Sequence, residues 1–400
     1  MLANTIVSLA LKTVKYVSLS MMRRLPVADK TVVFNNFNGR GFGDNPKYIA
    51  AELADSDLKL VWLSSEETMR SEFPSYVVPV RMDRPRGWYH LCTARVLVSN
   101  VRNLPDYRKR KGQFYLQTWH GVMWFKRVEK DAEPLLGREY VERAKLDGKM
   151  CDLFIANNAS DEELFHTSFW YDGPVMRCGT PRLAPVVRRD PAQRERVLKA
   201  LGVPTHCKTV LFAPTFRDQN TSYVPPLDTT RLIDALQDAF CGEFVCLLRL
   251  HPNVPAGSFP LAERVVDASS IGDIQEVLAV ADVLVTDYSS ICFDYVMGVP
   301  RPVYMFIPDM DDYLSSARKP YHDLSECPFS ITQTMDELCE AVRSTNLEEL
   351  QRRYRGFLAE YGFEDDGNGA QDVAALLVDV CEGREDIDQL SVSYKEKRER

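Results

Sequence analysis

Short apolar segments alternate with helical stretches along most of this chain, and this alternation constrains the fold more than any other feature. Runs rich in β-formers that are separated by helices are typical of parallel, doubly wound sheets. We therefore predict an α/β fold. The predicted strands cover residues 31–35, 58–63, 76–80, 96–99, 113–119, 153–156, 175–178, 209–213, 244–250, 265–267, 283–286 and 302–306.

A turn-rich segment near residues 181–191 divides this pattern into two halves. Since 400 residues exceed one ordinary domain, we predict two Rossmann-like domains, over 26–185 and 186–381, that face a cleft. A helix near 370–381 is expected to cross back towards the first half, and a charged tail follows over 382–400. Ligands of open α/β sheets bind beyond the carboxyl ends of the strands, so the cleft is the expected site.

The first 25 residues form a separate segment. Lys12 and Lys15 lie near the middle of its apolar stretch, which disfavours a membrane span, and no basic region precedes it as in a signal peptide. We predict an amphipathic helix lying on an anionic membrane surface, and the alternative is a helix docked on the protein's own core. The residues that recur at helical spacing are Leu2, Ile6, Leu9, Thr13, Tyr16 and Val17.

Charge and cysteine spacing exclude several classes of protein. A formal net charge of -8 argues against a dedicated nucleic-acid binder. The ten cysteines are scattered and form no C-x-x-C pair, which argues against a zinc or redox motif. Without a secretion signal, a chain of this length is expected to lack a disulfide framework and to occupy a reducing compartment.

A histidine follows one predicted strand of the first half. The strand over 113–119 leads into Trp119, His120 and Gly121. An imidazole with a pKa of about 6.5 can accept a proton at neutral pH, and the glycine permits close approach of the backbone to a ligand. Two interpretations remain open: a catalytic base, or a histidine that merely caps the strand.

The first basic cluster of the second half follows the strand over 209–213. It contains Pro214, Thr215 and Arg217. A guanidinium group at a strand end is a fixed positive fork for phosphate, which favours an anion site. The alternative is a surface salt bridge from Arg217 to Asp218.

The second basic cluster lies on the strand over 244–250. Arg249 and His251 alternate with leucines, so both are expected on one face of the strand. Burying two basic groups on one face costs free energy unless an anion pairs with them. Either an anionic ligand or internal carboxylates would supply that partner.

Hydroxyl groups follow the strand over 283–286. This strand ends in Thr286, and Ser289 and Ser290 come just before a predicted helix that contains Asp294. Backbone N–H groups and hydroxyls at a helix N-terminus bind anions, and a serine there also serves as an ordinary helix cap. Both roles remain open.

Two further loops carry weaker signals. The glycine-rich loop over 38–46 lacks both the dinucleotide and the P-loop spacing, so we interpret it as a flexible acceptor-side loop. Asp309 and Asp311 follow the strand over 302–306 and offer either a metal site against a diphosphate or a solvated acidic loop. Because the basic residues above can neutralise a pyrophosphate alone, no metal is predicted.

Taken together, these clusters resemble the CDP-glycerol glycerophosphotransferase family, the teichoic acid primases and polymerases. That family carries Trp-His-Gly, Gly-x-Pro-Arg, Pro-Thr-Trp-Arg, Arg-Leu-His-Pro and Thr-Asp-Tyr-Ser-Ser clusters in this order. The resemblance spans about residues 30–370, and the loop 44–48 also looks like a family motif. The matching segments here are 119–121, 179–182, 214–217, 249–252 and 286–290, with Asp294 beyond.

The resemblance implies a function and a location. It implies transfer of glycerol phosphate or ribitol phosphate from a CDP-linked donor to a hydroxyl of a lipid-linked polymer, with release of CMP. It also implies a GT-B-like fold with a nucleotide site in the second half, peripheral association with the cytoplasmic face of the membrane, and no cofactor.

The resemblance also implies roles for individual residues. His120 is expected to be the general base, and His251 is expected to stabilise the leaving group together with Arg217 and Arg249. The other residues assigned to the CDP donor are Trp119, Gly121, Arg182, Pro214, Thr215, Thr286, Ser289, Ser290 and Asp294.

The sequence departs from the family pattern beside the expected base. Val122 and Met123 stand where the family usually has Thr-Pro, and Phe216 replaces the usual tryptophan. The polyol and the acceptor are therefore not specified by the motifs. The rival classes are a GT-B glycosyltransferase that uses a nucleotide sugar, a soluble nucleotide-sugar epimerase and a non-catalytic membrane scaffold.

Overall fold

The structure is a computed structural model, and it describes residues 2–217, 223–251, 254–255, 257–259, 261–298, 300–310, 319–363 and 365–384, with side chains from residue 12 onwards. The predicted charged tail beyond residue 384 lies outside the described residues, as do Asp218 and Asp311 and the side chains of Leu2, Ile6 and Leu9.

The first half is built on a parallel sheet of seven strands in the order β3-β2-β1-β4-β5-β6-β7. The chain order reverses between β1 and β4, which makes the carboxyl ends of these strands the expected ligand site. The strands are β1 Ala28–Asn35, β2 Lys59–Ser64, β3 Val77–Arg81, β4 Ala94–Ser99, β5 Phe114–Gln117, β6 Leu153–Ala156 and β7 Val175–Arg177.

The second half contains a parallel sheet of six strands in the order β10-β9-β8-β11-β12-β13, which is the Rossmann order. Its order reverses between β8 and β11. The sequence analysis missed only the short last strand. The strands are β8 Lys208–Ala213, β9 Phe244–Leu248, β10 Val265–Asp267, β11 Val283–Thr286, β12 Val303–Phe306 and β13 Ser330–Thr332.

Helices cover both faces of the two sheets. Several begin at a side chain that accepts a backbone N–H, among them Asn158, Asp228 and Asp273. The helices are α1 Leu2–Met22, α2 Asp44–Glu52, α3 Pro85–Thr93, α4 Arg138–Met150, α5 Ala159–Ser168, α6 Ala184–Arg188, α7 Pro191–Ala200, α8 Thr229–Phe240, α9 Ile274–Val280, α10 Ile291–Val296, α11 Met335–Arg343, α12 Leu347–Glu360 and α13 Gly369–Glu382.

Both faces of each sheet are buried, as parallel sheets require. In β1, Val32 and Phe34 join one core while Val33 joins the core of the opposite face. The last helix, α13, contributes Val373 and Leu377 to the core that contains Val32. Helix α13 therefore packs back onto the first half, as the sequence analysis predicts for the helix near 370–381.

The N-terminal helix lies against α3, with Leu19 buried and the Cys92 thiol donating to the Leu19 carbonyl. Part of its outer surface is exposed and apolar: Val14, Val17 and Met21 are 61%, 49% and 64% exposed. None of the helices in the described part of the chain combines the length and apolarity needed to cross a bilayer.

Two predicted strands end earlier than expected. The strand predicted to reach residue 119 ends at Gln117, because Trp119 takes a left-handed φ of 51° that directs the chain away from the sheet. The strand predicted to reach residue 250 ends at Leu248, which places Arg249 and His251 in the loop beyond it. Both basic residues therefore lie past the carboxyl end of the sheet.

Candidate functional site

His120 lies at the carboxyl ends of β4 and β5. Its Nδ1 is 2.7 Å from the carbonyl oxygen of Asn100, and its ring contacts Trp119 and the edge of Phe37. A carbonyl only accepts hydrogen bonds, so Nδ1 carries the proton and Nε2 presents a lone pair. Burial lowers the pKa of His120 in spite of this hydrogen bond, which keeps the imidazole neutral near pH 7. The ring therefore has the tautomer and the protonation state that a general base needs.

The two halves meet closely beside this histidine. A Cβ atom placed on Gly121 would come within 2.7 Å of the Ser290 hydroxyl oxygen. Ser290 is the residue before α10, yet its side chain makes no capping hydrogen bond. Its hydroxyl is thus held at the contact between the Trp-His-Gly cluster and the second half, where an anionic ligand can accept from it.

We expect Gly121→Ala to lower transfer about tenfold, because the new methyl group forces the Ser290 hydroxyl out of its position and removes one charge-assisted hydrogen bond. Steady-state kinetics with saturating acceptor measure the loss. Ser290→Ala alone should give the same loss, and the double variant should be no worse than either single variant. Multiplying losses in the double variant would contradict this account, since they would show that the two substitutions remove different interactions.

Arg182 joins the two halves through a buried ion pair. Its Nε and Nη2 donate to the two carboxylate oxygens of Asp294 at 2.9 and 3.0 Å, and Nη1 lies 3.7 Å from Asp44. Burial alone would lower the pKa of Arg182, but the Asp294 and Asp44 carboxylates outweigh it and raise the pKa. Because the guanidinium is committed to these carboxylates, Arg182 positions the cleft and does not match the predicted direct contact with the donor.

Asn45 connects this ion pair to the Trp-His-Gly cluster. Its side-chain oxygen accepts the backbone N–H of Arg182 at 3.1 Å, and its amide donates to the Trp119 carbonyl at 3.0 Å. Next to it, the Lys47 ammonium binds Asp273 and Glu276 of the second half at 2.8 and 2.7 Å. The end of the glycine-rich loop is therefore the start of α2, and it connects the two halves of the molecule. The interpretation of 38–46 as a flexible acceptor-side loop did not predict this connection.

A pocket beside this network contains a carboxyl group that the sequence analysis missed. Asp161 lines it together with Trp119, Gly121 and Arg182. Burial raises the pKa of Asp161 to about 6, although the Met123 N–H and the Asn158 amide donate to its carboxylate. Asp161 lies in the first turn of α5, a helix absent from the sequence prediction, so no strand-end signal marked it.

Arg217 is held by carboxylates rather than left open to a ligand. It pairs with Asp309 through Nε and Nη2 at 2.8 and 3.1 Å, and Nη2 is 2.9 Å from Asp287. Its Nη1 donates to the Thr215 hydroxyl at 2.6 Å, while the Thr215 N–H donates to Asp287. The cluster over 214–217 is thus a turn built on internal ion pairs to these carboxylates, and the alternative partner Asp218 lies outside the described residues.

Arg249 and His251 contact different parts of the second half. The guanidinium of Arg249 donates to the carbonyl oxygens of Ala268 and Ile271 at 2.9 and 2.6 Å, and burial lowers its pKa. The exposed ring of His251 stacks on Phe216 at 5.3 Å between centroids. The prediction of one shared strand face is wrong because the strand ends before both residues. His251 nevertheless borders the turn that holds Arg217.

The cluster at the end of β11 separates into buried and accessible residues. Thr286 is fully buried, and its hydroxyl donates to the Ala213 carbonyl at 2.7 Å, so it joins two strands and does not face the cleft. Ser289 and Ser290 are half-buried at the start of α10. Of the predicted hydroxyl groups, those of the two serines are therefore the ones placed to contact a phosphate.

Metal-ligating side chains gather in one place among the described residues, and it lies away from the cleft. His206, Cys207 and Glu243 have ligand atoms within 4.8 Å of one another at the amino ends of β8 and β9. Asp309, the described member of the predicted Asp-x-Asp pair, is engaged by Arg217.

The two parallel sheets, with their strand ends facing one another across a histidine, define a GT-B-like transferase of two α/β domains. A family model described as CDP-glycerol:poly(glycerophosphate) glycerophosphotransferase matches residues 17–379. The chain belongs to this family.

Individual relatives agree with this assignment. A teichoic acid poly(glycerol phosphate) polymerase of Bacillus spizizenii is 26% identical over 374 residues, which cover 88% of this chain and 93% of the relative. A teichoic acid glycerol-phosphate transferase of Staphylococcus aureus is 27% identical, covering 94% of this chain and 100% of the relative. A structure of the wall teichoic acid polymerase TagF superposes with a TM-score of 0.81 at 25% identity and covers 94% and 98% of the two chains.

Proposed function

We propose that this enzyme transfers a polyol phosphate, glycerol phosphate or ribitol phosphate, from a CDP-linked donor to a hydroxyl of a lipid-linked cell-surface polymer. The observation that supports this most directly is the neutral His120 imidazole, which stands next to Gly121, where a Cβ atom would come within 2.7 Å of the Ser290 hydroxyl oxygen of the second half. A base facing a phosphate-binding group across a cleft is the arrangement that phosphoryl transfer requires.

In the proposed reaction, the acceptor hydroxyl loses its proton to Nε2 of His120 and its oxygen attacks the β-phosphorus of the donor. The bond between that phosphorus and the bridging oxygen breaks, and CMP leaves with the bonding electrons. Ser289 and Ser290 donate to phosphate oxygens, while Arg249 and His251, beyond the end of β9, offset the charge that develops on CMP.

Placement at the cytoplasmic face of the membrane is part of the same proposal. The exposed apolar residues of α1, Val14, Val17 and Met21, lie in a helix that also carries Lys12 and Lys15. Such a helix is suited to the interface of an anionic bilayer, where the apolar side chains enter the acyl boundary and Lys12 reaches the headgroups, while Lys15 pairs with Asp106 of the protein. This placement would bring a lipid-linked acceptor to the cleft without a membrane span.

Thermal unfolding in the presence of nucleotides tests the donor class. We expect CDP at about 100 times its Kd to add roughly 2.7 kcal/mol to the free energy of unfolding, with and without magnesium, because it binds only the native state. CMP should stabilise less, and UDP, GDP and ADP little.

Stabilisation by UDP in place of CDP would move the assignment to a glycosyltransferase that uses a nucleotide sugar. A shift that appears only with magnesium would contradict neutralisation of the pyrophosphate by side chains alone. A structure of a TagF variant soaked with CDPG superposes on this chain with a TM-score of 0.79 at 25% identity. This similarity favours stabilisation by CDP.

A further inference from the structure

A crevice of about 210 Å³ lies on the first half, between the loop that follows β4 and the helix α4. It is separate from the pocket beside His120 and shares no lining residue with it. Asn103 and Asp147 line its inner part, Leu146 and Met150 form an apolar wall, and Arg108 and Arg143 stand at its exposed rim. The crevice thus combines a polar floor, an apolar side and a cationic edge.

The floor of the crevice contains polar atoms that have no partner. Both the Nδ2 and the Oδ1 of the Asn103 side chain are buried without a hydrogen bond among the described residues. Asn103 also takes a left-handed φ of 62°, and its backbone N–H is fixed on Asp147 at 3.2 Å. Since a buried amide without partners costs free energy, this one is suited to a ligand that both accepts and donates a hydrogen bond.

Other unpartnered polar atoms lie nearby, where the N-terminal helix meets the same loop. Among the described residues, the buried Nε of Arg23, the indole N–H of Trp88 and the hydroxyl of Tyr107 also lack hydrogen bonds. Arg23 contacts the loop through the Asp106 carbonyl, and Lys15 lies 5.5 Å from the Trp88 ring centroid. The lack of hydrogen-bond partners is therefore shared by several residues at this junction and is not confined to Asn103.

The charge of the crevice favours an anion. Its two carboxylates already have cations: Asp106 pairs with Lys15 of α1 at 2.6 Å, and Asp147 pairs with the buried Arg102 at 3.1 Å. At the rim, Arg108 donates to the Tyr107 carbonyl, and Arg143 lies 3.9 Å from the exposed Glu139, a weak contact. The rim guanidinium groups are therefore available to a phosphate.

From these observations we propose that the crevice binds the headgroup of an anionic phospholipid whose phosphodiester carries a polyol, as in phosphatidylglycerol. The phosphate is held by Arg108, Arg143 and the Asn103 amide N–H, and a headgroup hydroxyl donates to Asn103 Oδ1. A lipid is favoured over a soluble ligand because the crevice is joined by Lys15 to α1, whose exposed apolar residues lie nearby, and because Leu146, 38% exposed, lines it. The inference rests on the proposed function for the placement of α1 on a membrane.

Vesicle cosedimentation of the full chain tests this site. We expect phosphatidylcholine vesicles with phosphatidylglycerol to bind about fivefold better than vesicles with the same fraction of phosphatidylserine, which has the same net charge but no polyol. Arg143→Ala should lower binding to phosphatidylglycerol about fivefold, whereas the matched control Arg138→Ala, on the first turn of the same helix, should change it little. Asn103→Asp, which keeps a residue tolerant of left-handed φ, should abolish the preference between the two lipids.

Two outcomes would overturn the proposal. Equal binding to both lipids, with Arg143→Ala and Arg138→Ala equally weakened, would show attraction of a basic surface to any anionic bilayer. Stabilisation of the protein, but not of Asn103→Asp, by soluble glycerophosphoglycerol, without any lipid preference, would assign the crevice to a free or polymeric polyol phosphate.

Thermal unfolding with CDP, measured on each crevice variant, separates this inference from the proposed function. None of the crevice residues lies in the cleft, so stabilisation by CDP should equal that of the unsubstituted chain and confirms correct folding. A lipid preference without stabilisation by CDP would support the headgroup site and contradict the donor assignment. Stabilisation by CDP without a lipid preference would support the donor assignment and contradict the headgroup site.

Discussion

Replacing His120 with alanine lowers the rate of transfer by about 10²–10⁴-fold while CDP still stabilises the protein: this is the result we expect, because the substitution removes the proton acceptor and leaves the second half intact. The measurement is turnover with a CDP-polyol donor and a lipid-linked acceptor, alongside thermal unfolding with CDP. His206→Ala, at the opposite edge of the second sheet, is the matched histidine control and should retain full turnover. Near-normal turnover of His120→Ala would remove this residue from the mechanism.

The pH dependence of kcat/KM gives a second test of the same residue. His120 acts as a base only when it is neutral, so activity falls as the pH drops below its pKa. Because burial lowers that pKa from its ordinary value of 6.5, the acid limb of the profile should lie below pH 6.5. A limb above pH 6.5 that persists in Ser290→Ala would identify another titrating group as the base.

Asp294→Ala is expected to cost about 3–5 kcal/mol in the free energy of unfolding, since it leaves the Arg182 guanidinium buried without its main counter-charge. Denaturant titration followed by fluorescence measures the loss. Asp336→Ala is the control, because its ion pair with Arg231 is exposed to solvent and its loss should change the free energy of unfolding little. The double variant Arg182→Met with Asp294→Leu should recover much of the loss, because no unpaired charge remains.

This prediction fails if the single and double variants are equally destabilised, since that would mean that packing rather than charge governs the contact. It also fails if Asp294→Ala unfolds like the unsubstituted chain. A loss of activity alone, without a change in the unfolding midpoint, would instead point to contact of Asp294 with the donor.

Most of the strands followed directly from the sequence, and the reason is physical. Parallel strands are buried on both faces, so they appear as continuous apolar runs, and strands over 153–156, 265–267 and 283–286 match β6, β10 and β11 in both bounds. Helix α5 was not predicted, because its apolar positions are few and polar residues interrupt the pattern. Strand β13 was not predicted, because it has only three residues.

The sequence pointed to candidate site positions but not to their partners. Polar clusters after strands pointed to His120, Gly121 and Ser290, because every parallel strand ends at the same edge of its sheet, and their roles stay predictions. The partners of buried charges were not predictable: Arg182 pairs with Asp294 across 112 positions of sequence, and Arg217 pairs with Asp309 across 92. The first pairing depends on how the two halves dock, and the second on how the loops after β8 and β12 meet within the second half, which no local pattern encodes.

The return of α13 to the first sheet has a consequence for how the protein is made. The strands of the first half are synthesised before the second half, but Val373 and Leu377, which help to close its core, come after the second half in sequence. The second half is contiguous in sequence and can fold while translation continues. The first half therefore cannot complete its core until α13 has been synthesised.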